Sequence, residues 1–305
     1  MVALRPRDPR DVFQRALGMA APVPPIAQDA AARKRKKGDQ VLRPLHPNAG
    51  IEADYRRRLV RLVDEMATSF EHWLKAAYRA NEPAIAQDAT PAAELQEACE
   101  RLARQWRRRF REASPELAAY FTKASASYSS AALRSILKNA GYAVDFKMTP
   151  AMRDIIRATV EQNVQLIRSI PEEYLTQVQG SVMRSVQAGR DQGSLVKDLV
   201  HHYGVTKRRA ELIARSQNNL ATASITRARQ EEAGITEAIW SHSGGGREPR
   251  PTHVAKNGKR YKIAEGWFDP HAFKTKGGGW RGEYIWPGQL PGCRCVSRAV
   301  VKGYG

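Results

Sequence analysis

Hydrophobic residues recur at spacings of three and four along the chain from about residue 51 to residue 234. This spacing places apolar side chains on one face of an α-helix, so it predicts a largely helical region. The first stripe predicts one long amphipathic helix. Its members are Leu59, Leu62, Val63, Met66, Phe70, Trp73, Leu74 and Ala77.

Residues that start or stop helices divide this region. We expect helices to begin at Ser114-Pro115 and at Thr149-Pro150, because a hydroxyl can cap the first turn and proline is tolerated at the first helical position. Further starts are predicted at Pro171, Ser194 and Thr206, and stops at Gly141 and Gly234.

The composition changes after Gly234. Thirteen glycines and five prolines fall within residues 241–305, and the helical period is lost. Short strands at 235–241, 259–263 and 296–301 are the natural interpretation, separated by glycine-rich loops. We expect them to form a small antiparallel sheet packed on the preceding helices.

The first fifty residues differ from both regions. They contain seven prolines and the basic run Arg33, Lys34, Arg35, Lys36 and Lys37. Such a segment buries too little apolar area to offset its ordering entropy, so we expect an extended or disordered arm that a partner holds. The run suits a solvated tail, an arm lying on nucleic acid or on an acidic partner, or a nuclear-localisation signal.

These patterns predict an α+β fold that is mainly α, in three parts. Residues 1–50 form the basic proline-rich arm and residues 51–145 an elongated helical module. Residues 146–305 form a C-terminal domain with helices to about residue 234 and short strands after it.

The net charge narrows the choice of partner. Fifty Lys and Arg against 31 Asp and Glu give a net charge of +19, which favours an anionic partner, with nucleic acid ahead of a membrane surface. No apolar run is long enough for a spanning helix, and three cysteines do not form a secreted disulfide framework. We expect a soluble protein made in a reducing cytoplasm.

Arginines cluster on the predicted faces of two helices, with few acidic residues among those of the second. Spacings of three and four let each arginine approach a phosphate, so we expect sequence-independent contact with double-stranded DNA. The alternative is a solvated helix face. The residues are Arg56, Arg57, Arg58, Arg61, Arg101, Arg104, Arg107, Arg108 and Arg111.

Cys293 and Cys295 are the best candidates for a functional site, and a metal site is the first possibility. Two thiolates can bind one Zn²⁺, with His253 as third ligand and His242, His271 or Asp269 as a possible fourth. The alternatives are two small buried cysteines or, less favoured because so small a ring is strained, a disulfide between them.

A metal-dependent nuclease is the enzymatic alternative. It would recruit His253, Glu265, Asp269 and His271 around a metal. No recognisable catalytic spacing, such as H-E-x-x-H, is present, so we expect a non-catalytic protein. A stand-alone DNA-binding protein is a second alternative.

Three ordered motifs in the last third resemble the Mu F-like minor head proteins of tailed phages, the head morphogenesis family. The first is an R-A-x-x-I-A-R helix, the second a threonine and histidine followed by an Asn-Gly turn, and the third a terminal C-R-C. They span roughly residues 171–301. The matching residues are Arg209, Ala210, Ile213, Ala214, Arg215, Thr252, His253, Gly258, Cys293, Arg294 and Cys295.

The resemblance implies a minor capsid protein of the virion, located near the portal and assembled in the host cytoplasm. Its implied partners are the portal protein, other head proteins and the packaged double-stranded DNA, with no membrane. The chain departs from the family at Ser216-Gln217, where relatives have Thr-Glu, and in the loop 246–253, where an acidic residue is displaced.

Overall fold

The computed structural model describes residues 27–28, 38–80, 91–187, 192–245 and 248–302. It is 66% helical with a few antiparallel strands, which confirms the mainly α, α+β fold. The helices are α1 (Ala49–Ala80), α2 (Pro91–Asn139), α3 (Pro150–Gln187), α4 (Gln192–Glu232) and α5 (Pro251–Ala255). The strands are β1 (Ala27–Gln28), β2 (Gln40–Val41), β3 (Tyr142–Ala143), β4 (Glu237–Ser241), β5 (Arg260–Lys262), β6 (Trp267–Lys274), β7 (Trp280–Ile285) and β8 (Val296–Val301).

The chain forms two compact units, each assembled from segments that are distant in sequence. Unit 1 takes its described residues from Met1–His46, Ser127–Ile155 and Thr222–Gly305, and unit 2 from Pro47–Ala126 and Ile156–Ala221. Helices α2, α3 and α4 therefore contribute to both units. This division cuts across the predicted segments 51–145 and 146–305.

Unit 2 is a helical bundle with an aromatic core. Tyr55 of α1 stacks on Phe121 of α2 with ring centroids 4.3 Å apart, and Phe70 meets the edge of Tyr174 of α3 at 5.7 Å. The hydrophobic stripe of α1 is buried as predicted at most positions, but Trp73 is 53% exposed. The buried face of α1 is therefore narrower than the predicted stripe, because it does not include Trp73.

Several helix ends follow the predicted chemistry. The hydroxyl of Thr149 accepts the backbone N–H of Met152 at 3.1 Å, which caps α3. Gly141 and Gly234 follow the ends of α2 and α4 with φ of +87° and +72°. Glycine adopts this left-handed conformation without the penalty of a Cβ atom, so both act as helix stops.

Three predicted helix starts are wrong, because the chain continues as helix through them. Pro115 lacks the N–H that would bond to the carbonyl of Arg111, and the hydroxyl of Ser114 donates to that carbonyl instead, at 3.0 Å. Pro171 lies inside α3. Thr206 lies inside α4, where its hydroxyl bonds back to the carbonyl of His202 at 2.9 Å.

The predicted start at Ser194 is also displaced, because α4 begins at Gln192. One helix of 41 residues thus replaces the two that were expected between Ser194 and Gly234.

Unit 1 contains the predicted antiparallel sheet, in the strand order β2, β8, β4, β5. The three predicted strands correspond to β4, β5 and β8. Ala238 of β4 lies between Tyr261 of β5 and Ala299 of β8. The hairpin of β6 and β7 and the short pair of β1 with β3 were not predicted.

The last residues of the predicted arm belong to the core of unit 1. Gln40 and Val41 pair with Val301 and Val300 of β8. Leu42 and Leu45 are 3% and 6% exposed and join the hydrophobic cluster under the sheet. Residues 40–45 of the predicted arm are therefore part of the fold, because Leu42 and Leu45 bury apolar area there.

Trp240 is the largest fully buried side chain of this sheet. It packs in one cluster with Leu133 and Leu137 of α2 and with Ile263 and Ile285. The sheet is thus held against the end of α2 by one continuous apolar core. Among the described helices, none combines the length and the apolar character needed to cross a membrane.

A buried polar network in unit 2 gives a first prediction. Asn163 accepts the hydroxyl hydrogen of Tyr55 at 2.9 Å and donates to Gln217 at 3.1 Å, and it is fully buried. Asn163→Ala should lower the free energy of unfolding by about 2–3 kcal/mol, since both partners are left unsatisfied.

Urea unfolding measures this change. Gln162→Ala removes an exposed neighbour on the same helix and should alter stability by less than about 0.5 kcal/mol. Equal stability of the two variants would contradict a structural role for the network.

Candidate functional site

Two cysteines and one histidine from separate segments converge in unit 1. The Sγ atoms of Cys293 and Cys295 lie 3.4 and 3.6 Å from Nδ1 of His253. All three residues are buried, and their potential ligand atoms lie within 4.8 Å of one another. The three residues selected from the sequence are therefore one cluster in space.

A glycine turn fixes the segment that carries His253. His253 lies on α5, which begins with Pro251 at its first turn. After this helix Gly258 adopts a φ of +77°, and its N–H donates to the carbonyl of Trp240 at 2.8 Å. The Asn257-Gly258 turn therefore ties α5 to strand β4.

A second glycine turn delivers the cysteines. Gly292 has a φ of +71°, and the N–H of Cys293 donates to the carbonyl of Leu290 at 2.9 Å. The Arg250 guanidinium donates to the carbonyl of Pro291 at 2.9 Å. This bond joins the start of α5 to the turn that precedes the cysteines.

Asp269 holds the other side of the histidine ring. This fully buried carboxylate lies 3.4 Å from Nε2 of His253 and 3.3 Å from the Lys256 ammonium. It also accepts the hydroxyl of Thr252 at 2.9 Å and the N–H of His271 at 3.0 Å. His253 is thereby oriented with Nδ1 toward the sulfur atoms.

These contacts shift several pKa values. The hydrogen bond between the two thiols lowers the pKa of Cys293, against the opposing effect of burial, and raises the pKa of Cys295. Burial alone would raise the pKa of Asp269, but the donors on His271 and Thr252 and the ammonium of Lys256 hold it below its usual value. Burial lowers the pKa of Lys256, partly offset by Asp269.

Other predicted members of the site lie apart from the sulfur atoms. Nδ1 of His242 accepts the N–H of Gly244 at 3.1 Å, and the ring of His271 packs against Trp280. Asp269 contacts the far nitrogen of His253, so none of the three candidate fourth ligands joins the cluster among the described residues.

The set proposed for a nuclease does not assemble either. Glu265 is exposed and pairs with Lys262 at 2.8 Å, while His253 and Asp269 face each other. Within the described part of the chain, the group suited to a metal is instead His253 with the two cysteines.

Sequence reasoning missed two residues of this site. The Lys256 ammonium lies 5.1 Å from the ring centroid of Trp240, and the ring of Trp240 meets His253 edge-on at 5.2 Å. Neither Lys256 nor Trp240 belongs to a recognisable sequence motif. Lys256 can be recognised as part of the site only when the structure shows Asp269 beside it.

The predicted phosphate contacts divide into two groups. The run 33–37 lies outside the described residues. The nine helical arginines all belong to unit 2, where Arg107 is partly exposed and the other eight are exposed.

Five of these nine arginines form ion pairs. Arg57 and Arg58 share Asp54, and Arg104 pairs with Glu100. Arg107 binds Glu172 at 3.0 Å, and Arg108 binds Glu112 at 2.7 Å. The remaining four have no ion pair within the described part of the chain. They are Arg56, Arg61, Arg101 and Arg111.

The R-A-x-x-I-A-R segment of α4 has a packing role. Arg209 pairs with Glu173 at 2.5 Å, and Arg215 lies 3.6 Å from Glu52. Ala210 and Ala214 are fully buried. Among the other motif residues, Ile213, His253, Cys293 and Cys295 are buried, and Gly258 and Arg294 are exposed.

The turn at Gly258 gives a second prediction. Gly258→Ala should destabilise the protein by about 1–2 kcal/mol, because an alanine is strained at a φ of +77° although no atom lies within 4 Å of the added Cβ. Thermal or urea unfolding measures the change. Gly277→Ala, at a glycine with equally open space and no positive φ, is the matched control and should be nearly neutral.

Similarity to known proteins extends over this same region. Residues 176–298 match the model for Phage Mu protein F like protein. A stretch of 156 residues, 50% of this chain, is 33% identical to an uncharacterized protein of Haemophilus influenzae. The chain spans about a third of that relative, 31% of its length. No solved structure matches the chain. The match over residues 176–298 confirms the resemblance to the Phage Mu protein F like family that the motifs indicate.

Proposed function

We propose that this protein is a minor head component of a tailed phage that works at the portal vertex and contacts both the portal protein and packaged DNA. The family match over residues 176–298 carries this proposal, because it indicates a phage head morphogenesis protein. The portal and DNA contacts are more specific than this match, and we argue them from the charge and the arrangement of the chain.

The DNA contact is supported by the net charge of the whole chain and by the exposed arginines of unit 2. A net charge of +19 favours association with a polyanion. The four arginines that form no ion pair with a described residue can bind phosphate directly. The five paired arginines can also contribute, since an exposed ion pair is worth only about 0–1 kcal/mol and a phosphate can replace its acidic partner.

The contact expected from such a surface is independent of sequence. Arginines spread along two helices reach phosphates, and phosphate contacts position a protein without reading bases. A head protein that meets whichever segment of the genome lies beside it requires binding of this kind.

The portal contact is assigned to unit 1. The basic run 33–37 lies in the connection between β1 and β2, and both strands pair within unit 1. A partner that binds this run is consequently tethered to unit 1 by a few residues on either side. An acidic surface on the portal protein would complement it.

Arginine neutralisation tests the DNA contact. Arg56, Arg61, Arg101 and Arg111 changed together to Gln should weaken binding to two unrelated duplexes equally. The slope of log K against log salt should fall by about 3–4, because each lost phosphate contact removes about 0.9. Fluorescence anisotropy over a salt series measures both quantities.

The matched control removes the same charge from unit 1. Lys138, Lys259, Lys274 and Lys276 are exposed and have no ion pair among the described residues. Changing all four to Gln should leave most of the affinity intact. Equal losses in the two quadruple variants would assign binding to net charge and reject the helix surface of unit 2.

Co-purification with the cognate portal protein tests the second contact. The full chain should form a stable complex, and neutralising residues 33–37 to Gln should reduce recovery strongly. Deleting residues 1–50 is unsuitable because Leu42 and Leu45 belong to the core. Full recovery of portal with the neutralised variant would transfer the contact to the globular units. No complex with either form would favour a stand-alone DNA-binding protein.

A further inference from the structure

We propose that unit 1 binds one Zn²⁺ ion through Nδ1 of His253 and the Sγ atoms of Cys293 and Cys295. The zinc proposal does not depend on the DNA and portal contacts proposed above, because none of the residues assigned to those contacts is a zinc ligand. Its role is structural, because the three side chains are buried.

The distances match a tetrahedral zinc. With Zn–S of about 2.3 Å and Zn–N of about 2.0–2.1 Å, tetrahedral angles place nitrogen and sulfur about 3.6 Å apart. The two nitrogen-to-sulfur distances here are 3.4 and 3.6 Å. All three ligand atoms also lie within 4.8 Å of one another.

The surroundings of His253 are those of a metal-bound histidine. A ligating imidazole usually donates its second N–H to a carboxylate, which fixes the tautomer and the ring orientation. Nε2 of His253 faces Asp269 at 3.4 Å, while Nδ1 faces both sulfur atoms. Asp269 is itself held by Thr252, by the N–H of His271 and by Lys256.

The charges balance when the ion is bound. Two thiolates neutralise Zn²⁺, and the Lys256 ammonium neutralises Asp269, so no net charge is buried. Soft sulfur ligands with one imidazole select zinc over hard cations such as Mg²⁺ or Ca²⁺. Among the described residues no fourth protein ligand joins the group.

Metal binding also accounts for how this region is stabilised. Gly258 and Gly292 are turn residues with positive φ, and both lie in loop segments next to the ligands. A zinc ion would join α5 to the turn before β8, two segments separated by about 40 residues of chain. Its binding energy would contribute directly to folding.

Elemental analysis of the untagged, full-length protein tests the site. We expect about one zinc per chain, and removal by a strong chelator should lower the melting temperature. Cys293→Ser and Cys295→Ser should each abolish stoichiometric zinc. Cys99→Ser, a buried cysteine of unit 2, is the matched control and should retain it.

Two further measurements keep the test decisive if a cysteine variant fails to fold. Replacement of zinc by Co²⁺ in the wild-type protein should give a thiolate-to-cobalt charge-transfer band. Asp269→Asn retains all three ligands and should weaken zinc affinity by about 10–100-fold.

Metal-free protein that gains neither zinc nor melting temperature on addition of Zn²⁺ would overturn the proposal, as would cobalt spectra without thiolate bands. Failure of Cys293 and Cys295 to react with a thiol reagent after unfolding would overturn it in favour of a disulfide.

Discussion

The buried carboxylate of Asp269 organises the C-terminal half of unit 1. It receives hydrogen bonds from Thr252 on α5 and from the backbone of β6, and it faces both Lys256 and His253. A carboxylate without such partners would be too costly to bury. Because these partners come from segments on both sides of β5, the fold of the glycine-rich region and the geometry of the histidine–cysteine cluster depend on the same group.

This dependence explains why the short strands have a definite arrangement. The loops at the turns of Gly258 and Gly292 pack against the sheet beside Trp240. The polar contacts around Asp269 connect α5 directly to strand β6 of the hairpin. The apolar core thus provides most of the stability, while one buried polar group provides the orientation.

The sequence predicted those features of the fold that have local causes. Thr149 and Gly234 set helix ends through their own backbone and side-chain chemistry, and the strands β4, β5 and β8 have the expected pattern. Pro115 misled the prediction because Ser114 supplies the donor that proline lacks. The two units are interleaved along the chain, and this arrangement depends on long-range packing that no composition change marks.

The residues of the site likewise divide into those that the sequence identified and those that it missed. His253, Cys293 and Cys295 were identified by residue type, since few side chains bind soft metals. Lys256 and Trp240 were missed because their roles exist only through the position of Asp269 in an unpredicted hairpin. Likewise Arg107 and Arg101 look alike in the sequence, yet Glu172 on another helix neutralises only the first.

The pairing of arginines changes how the charge of unit 2 acts at a distance. Ion-paired groups contribute a weak field because their acidic partners cancel it within a few ångströms. Arg56, Arg61, Arg101 and Arg111 have no such partner in the part of the chain that the structure describes, so salt alone screens their charge. Among the nine arginines, these four should therefore contribute most to long-range attraction to a polyanion. In the DNA contact proposed above, the paired arginines would act after contact, when phosphates displace the carboxylates at little cost. Such a division would separate capture from close contact, and it would let the surface bind DNA of any sequence and release it as salt concentration rises.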